Sequence, residues 1–474
     1  MSAFADGSCL LAGGAEGPAA LRPLLGDVLE ALAGGAGARG GPLPSGGPEA
    51  VAADVRRTVR EVLPERGSGA REALDSVVRL VARGAADPAD PLCAGHLHCP
   101  PLALSVAADV AAGALNPSMD SWDQAPAASE LEALVCRELA RLVYEGAPDE
   151  EPDALVTTGG TEANQLAVLL ARERARMYRG GGAVRVVCGA NAHHSVHRAA
   201  WLLGLEAPLV VPAPRGVLDP AALEVALEQT RGEPALVVAT AGTTDSGDVD
   251  PLLEIGPVVA RYGARLHVDA AYGGPLLFSE RLRARLAGLE RADSVTFDLH
   301  KLGWQPVAAG LLVVPETAAL RPLDHRADYL NAGDDTEAGL PDLLGRSLRT
   351  SRRPDVLRIA VTLRALGREG MAALVERVCA AAERLAGMVE ADGRFELYAR
   401  PAMSTVLFRP AGAGDATVAL VRRRLLAEGR AVLGRAELRG RLWLKATLLN
   451  PEARPDDLAA LLKLVHDAVP EGRR

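Results

Sequence analysis

Between residues 153 and 314 the chain alternates short apolar runs with longer amphipathic stretches. The runs at 154–157, 184–188, 209–211, 236–240, 265–269, 294–297 and 311–314 have the length of buried strands. Between them, stretches at 161–178, 195–203, 220–229 and 251–262 place apolar residues at helical spacing. Strands alternating with helices predict a mostly parallel sheet covered on both faces, with ligands at the carboxyl ends of the strands. Gly160, Thr244 and Asp269 fall at or just after such ends.

Upstream, helical patterns are expected around 19–32, 50–63 and 70–82, and the sequence GGAGARGGPLPSGG (34–47) reads as a flexible linker. A strong helix is expected at 127–144. Downstream, 324–345 is polar and glycine-bearing, a candidate mobile loop. Helices are expected at 358–366 and 370–388, then strands at 395–398, 405–409 and 442–448, with further helices at 416–428 and 456–469. The resulting organisation is an N-terminal helical segment with a flexible start (1–100), a large α/β domain (101–369) and a small C-terminal α+β domain (370–474).

Composition narrows the function classes. Of 474 residues, 49% are hydrophobic and 24% charged, the profile of a globular protein too long for a single core. The net charge of −9 and the lack of a Lys/Arg-rich block speak against nucleic-acid or anionic-membrane partners. No apolar run reaches the roughly 18–20 residues of a membrane span. The opening residues carry no basic segment ahead of their short apolar run, so no secretory signal is expected. Six scattered cysteines without metal-ligand spacing fit reduced thiols, and a cytoplasmic location follows as the expectation.

Chemistry concentrates between His267 and Gly310. HVDAAYGG ends an apolar run on Asp269, and DSVTFDLHK brings Lys301 in 32 positions later. Upstream, TTGGTEAN (157–164) joins a strand to a helix, where a glycine pair lets backbone N–H groups approach an anion. His193 and His194 precede a helix, and AGTT (241–244) follows a strand. Together these segments resemble the group II pyridoxal-phosphate-dependent amino acid decarboxylases, from about residue 90 to 451.

The resemblance implies the aspartate aminotransferase-like fold of type I pyridoxal-phosphate (PLP) enzymes, with PLP as cofactor and decarboxylation of an amino acid as the reaction. Lys301 would join the cofactor aldehyde, and Asp269 would keep the pyridine nitrogen protonated so that the ring accepts electrons. Gly160 and Thr161 would hold the phosphate with His300. His193, the residue preferred over His194, would stack on the ring and take a catalytic part, while Ala271 and Thr244 would complete the cofactor site. The family also implies a homodimer with a shared active site, the N-terminal helices packing on the partner subunit.

Substrate-binding positions implied in the same way are His96 and His98 in HLHCPP, Asp120 in SMDSWDQ, and Tyr329. The two histidines lack a third ligand at metal-binding spacing, so no metal is expected. Asp120 reads either as the partner of a distal substrate amine or as a helix cap near Trp122. Aromatic amino acid decarboxylases carry a tyrosine in the mobile loop as the acid that protonates Cα, and between residues 330 and 345 this chain has none. That leaves His193, Tyr329 or water as the acid. HLHCPP and SMDSWDQ look most like the branch acting on diamino acids, which implies 2,4-diaminobutyrate, ornithine or lysine as substrate. Decarboxylation of an acidic or aromatic amino acid, or an oxidative deaminating variant, are the alternatives, with a non-catalytic PLP-binding protein behind them.

Overall fold

The computed structural model describes residues 11–145, 151–178, 183–214, 216–230, 232–325, 327 and 330–470. The chain opens with helices α1 (Gly17–Arg39), α2 (Gly47–Val59) and α3 (Ala70–Gly84), followed by a two-residue strand β1 (Cys93–Ala94) and helices α4 (Ala103–Leu115) and α5 (Pro126–Val143). The expected linker at 34–47 is corrected in its first half, because residues 34–39 belong to α1. The glycines there permit contact, not looseness: a Cβ on Gly35 would lie 2.5 Å from the Cβ of Ala82 on α3. Glycine lets the two helices approach where any side chain would hold them apart.

The alternating region folds as expected into β2 (Asp153–Thr157), α6 (Gly160–Tyr178), β3 (Arg185–Gly189), α7 (Ser195–Leu202), β4 (Leu209–Val211), α8 (Pro220–Gln229), β5 (Ala235–Thr240), α9 (Leu252–Arg261), β6 (Arg265–Asp269), β7 (Ser294–Asp298) and β8 (Gly310–Val314). The seven strands form one sheet in the order β2-β8-β7-β6-β5-β3-β4. Strands β4, β3, β5, β6 and β7 run parallel, whereas β8 is antiparallel to both β7 and β2. Every residue of β2, β5, β7 and β8 is buried, and β5 and β8 accordingly read as near-continuous apolar runs, whereas β7 alternates apolar Val295 and Phe297 with polar residues. Register aligns Thr240 with Asp269 and Asp269 with Thr296, so polar residues gather along one rim of an apolar sheet.

The loop region contributes a short helix α10 (Gly333–Glu337) and leads to α11 (Val356–Ala391). Gly367, at φ 63° and ψ −176°, interrupts α11, so the two helices expected at 358–366 and 370–388 are continuous apart from this break. Beyond it, Ala382, Leu385 and Val389 join a separate core with Phe408, Val421, Leu444 and Leu461. The C-terminal sheet is built from β9 (Phe395–Leu397), β10 (Thr405–Pro410), β11 (Val432–Leu438) and β12 (Arg441–Thr447), with α12 (Asp415–Ala427) and α13 (Pro455–Asp467) packed on it. Its order is β1-β11-β12-β10-β9, and β1 pairs parallel to β11. Strand β11 was not expected, because Gly434 and the exposed, charged Arg435 and Glu437 break its apolar pattern. That glycine sits opposite Lys445 of β12, where a Cβ would come within 2.7 Å of the lysine side chain. The small sheet thus captures β1 and sets His96, two residues after it, beside Lys445. Among the described residues no helix is long and apolar enough to cross a membrane.

One buried ion pair ties α5 to the segment entering α11. Arg352 donates to both carboxylate oxygens of Glu132, at 2.6 and 2.7 Å, and the two side chains are 1% and 5% exposed. Truncating one partner strands a buried charge, which commonly costs about 3–5 kcal/mol. Glu132→Ala is therefore expected to lower the thermal unfolding midpoint markedly, as read by circular dichroism, while a midpoint unchanged from wild type would show the pair to be dispensable.

Candidate active site

The phosphate-type turn is shaped by two glycines at the end of β2. Gly159 adopts φ 143°, a conformation that side chains resist, and a Cβ there would lie 2.8 Å from the His300 imidazole. A Cβ on Gly160 would lie 3.0 Å from that of Ala271. Glu162 reaches back to the Thr158 N–H at 2.6 Å, fixing how the chain enters α6. The first turn of α6 then opens toward the sheet rim with N–H groups that have no acceptor inside the helix.

Asp269 ends β6 and is only 6% exposed. Its Oδ2 accepts from Asn164 Nδ2 at 2.7 Å, and its Oδ1 from the Ala271 N–H at 3.2 Å. Asn164, on α6, also donates to Ser195 Oγ at 2.8 Å, and its own Oδ1 meets Thr296 Oγ1 at 2.7 Å and His267 Nε2 at 2.9 Å. His267 is fully buried and contacts Ser294 Oγ through Nδ1 at 2.9 Å. Burial pushes its pKa down to about 4 against the opposing pull of Asp269, so the imidazole is neutral near pH 7.

Lys301 lies just past β7. Its Nζ is 3.2 Å from Asp298 Oδ2, the same oxygen that accepts from the Gly160 N–H at 3.0 Å. His300 Nε2 is 3.6 Å from it, while His300 Nδ1 faces the Ala309 backbone. Across the site, His193 Nδ1 contacts Ser195 Oγ at 2.8 Å, and burial lowers the His193 pKa despite Asp269 nearby. From the small sheet, buried Lys445 donates to the Thr244 carbonyl at 2.8 Å. Burial lowers its pKa, with Asp245 opposing. His96 is also shifted down, first by burial and then by Lys445.

These groups enclose a cavity of about 360 Å³. Of the residues expected from the sequence, Gly160, Thr161, His193, Thr244, Asp269, Ala271, His300, Lys301 and His96 all line it. His98 and Asp120 are not among the lining residues. His98 is exposed, and the Asp120 oxygens accept from the hydroxyls of Ser118 and Ser351, so Asp120 caps no helix. Tyr329 lies outside the described residues. Sequence reasoning did not single out Asn164, His267, Asp298 or Lys445. Three of the four lay inside motifs already noticed, GGTEAN, HVDAAYGG and DLHK. Lys445 had its own signal, as the one charged residue in the otherwise apolar run from Leu444 to Ala446.

The cavity fits PLP on the chemistry of its walls. An amine faces an acid-terminated strand, two glycines leave a cradle that side chains would fill, and the volume falls within the range of small-ligand sites. Residues 54–411 match the family model of the pyridoxal-dependent decarboxylase conserved domain. The chain is 39% identical over 420 residues to the L-2,4-diaminobutyrate decarboxylase of Rhizobium meliloti (strain 1021), covering 86% of this chain and 84% of the relative. It is 32% identical over 443 residues to the enzyme of that name from Acinetobacter baumannii, covering 87% and 86%. Among solved structures, the glutamate decarboxylase domain of diaminobutyrate-pyruvate transaminase and L-2,4-diaminobutyrate decarboxylase from Vibrio parahaemolyticus superposes with a TM-score of 0.85 at 30% identity over 97% of both chains. Oryza sativa TDC with PLP and tryptamine gives 0.87 at 23% identity over 96% of this chain and 98% of that one, a likeness of fold. With the expected fold and cofactor both borne out, the chain belongs to the pyridoxal-dependent decarboxylase family and is a PLP-dependent amino acid decarboxylase.

Proposed function

We propose that this protein decarboxylates L-2,4-diaminobutyrate to the corresponding diamine and CO2, in the cytoplasm and as a homodimer. The observation that carries the substrate is the similarity, across more than four-fifths of the chain, to two enzymes named for that reaction. When bound, PLP supplies a ring that takes up the electron pair left at Cα as the carboxylate leaves. Lys301 is the residue that would hold the cofactor through its aldehyde. Asp269 holds a proton at the ring nitrogen, and Asn164 with the Ala271 N–H holds Asp269. His193, kept neutral by burial, and the small Ala271 are the residues that would flank the ring. Lys445 presents a buried cation to a substrate carboxylate.

Asp120 is proposed to meet the distal ammonium from across the dimer, since in its own protomer it does not line the cavity. An open apolar groove of about 1,220 Å³ between α5 and α11, lined by Leu134, Leu142, Leu357 and Leu363, supports assembly through this face. A second reading, decarboxylation of an acidic amino acid, draws on the same buried Lys445 as a receptor for a side-chain carboxylate.

The test is CO2 release across a panel of amino acids. Release is expected from diaminobutyrate, and release from glutamate or an aromatic amino acid without any from a diamino acid defeats the proposal. Hydrogen bonds to charged groups are worth roughly 1.5–3 kcal/mol, so Asp120→Asn should lower kcat/KM for diaminobutyrate by roughly 10- to 150-fold. An uncharged analogue of similar length should be affected much less. Light scattering should give the mass of a dimer, the commonest symmetric assembly. An active monomer at micromolar concentration would contradict both the dimer and the role of Asp120.

A further inference from the structure

The DLHK motif carries a charge that the cofactor chemistry does not require. Asp298 closes β7, its side chain is 1% exposed, and among the described residues its Oδ1 has no hydrogen-bond partner. Gly310 allows this burial, because a Cβ there would lie 2.7 Å from Oδ1. All of the contacts fall on the other oxygen. Oδ2 accepts from the Gly160 N–H at 3.0 Å, pairs with Lys301 Nζ at 3.2 Å and lies 3.6 Å from His300 Nε2.

Those are the groups that PLP needs. The Gly160 N–H heads the helix whose N-terminus suits a phosphate, and a phosphate brought there meets a buried carboxylate of like sign. The Lys301 amine adds to an aldehyde carbon only in its neutral form. The ammonium's proton must leave to solvent, the nitrogen then bonds to carbon, and the carbonyl oxygen departs as water. The contact with Asp298 Oδ2 has to be broken before Nζ can reach that carbon, and so opposes that step.

We propose that Asp298 is a competitor built into the cofactor site, contending with PLP for Lys301 and the Gly160 N–H and so limiting how tightly the cofactor is retained. A buried carboxylate with one unpaired oxygen is costly to maintain, and its contacts with the lysine and the helix amide offset that cost. PLP has to displace both contacts. The result is a site that exchanges its cofactor more readily than its enclosure alone would allow. The proposal rests on PLP occupying this cavity and on nothing about which amino acid is the substrate.

Asp298→Asn separates charge from shape, since the amide keeps an oxygen for the Gly160 N–H. Cofactor-stripped protein is titrated with PLP and, separately, with pyridoxal, which lacks the phosphate, and binding is followed by the visible absorbance of the Lys301-bound cofactor. Removing the charge should lower the Kd for PLP by about tenfold or more. The Kd for pyridoxal should fall by a smaller factor, because only the lysine contact is then relieved. A PLP affinity that is unchanged or weaker in folded Asp298→Asn overturns the proposal, as does an equal gain for pyridoxal. Asp298→Ser gives the same reading should the amide variant not fold. Wild-type protein that takes up no PLP at all would instead overturn the cofactor assignment.

Discussion

A carboxylate that has to stay buried at the end of a strand governs this site. Asp269 lies among the rim residues of an apolar sheet, where an unpaired charge would be expensive, and its two oxygens are met by the Asn164 amide and the Ala271 N–H. The partners of Asn164 settle which way its amide points. Its two N–H donors go to Asp269 and Ser195, so its oxygen has to receive Thr296 and His267. His267 must then carry its proton on Nε2 and accept from Ser294 on Nδ1. A neutral histidine satisfies this pattern, and its burial keeps it neutral. Five side chains from α6, α7, β6 and β7 thereby fix the orientation of one acid.

The parallel sheet makes this arrangement attainable. Strands β5, β6 and β7 end in register, so residues distant in sequence reach one rim without any long side chain having to stretch. The C-terminal sheet closes the opposite wall. Lys445 on β12 reaches the carbonyl of Thr244, and the Tyr272 hydroxyl contacts Ser404 and Thr405 at 2.7 and 3.0 Å. The cavity is therefore a property of both cores together, and the captured strand β1 places His96 at its mouth.

Much of this was legible in the sequence. Strands such as β5 and β8 were readable because burial on both faces leaves apolar runs, and Asp269 and Lys301 were readable because each ends or follows a strand of this sheet. What escaped has a common physical cause. Asn164 and His267 act through partners about a hundred residues away, a distance that periodicity does not register. Gly35 looked like a flexible residue because composition does not separate a loose glycine from one pressed against Ala82. Strand β11 was hidden by Gly434, whose missing side chain is what admits Lys445.

The most direct test of the role given to the buried acid is turnover by Asp269→Asn. The amide is nearly isosteric with the carboxylate yet carries no charge to hold a proton on the ring nitrogen. Loss of one such electrostatic contact typically costs about 3–4 kcal/mol in the barrier. On that footing kcat should fall by roughly 100- to 1,000-fold, with the fold retained by circular dichroism. Turnover close to wild type in the folded variant would contradict the assignment of Asp269 as the group on which the chemistry depends.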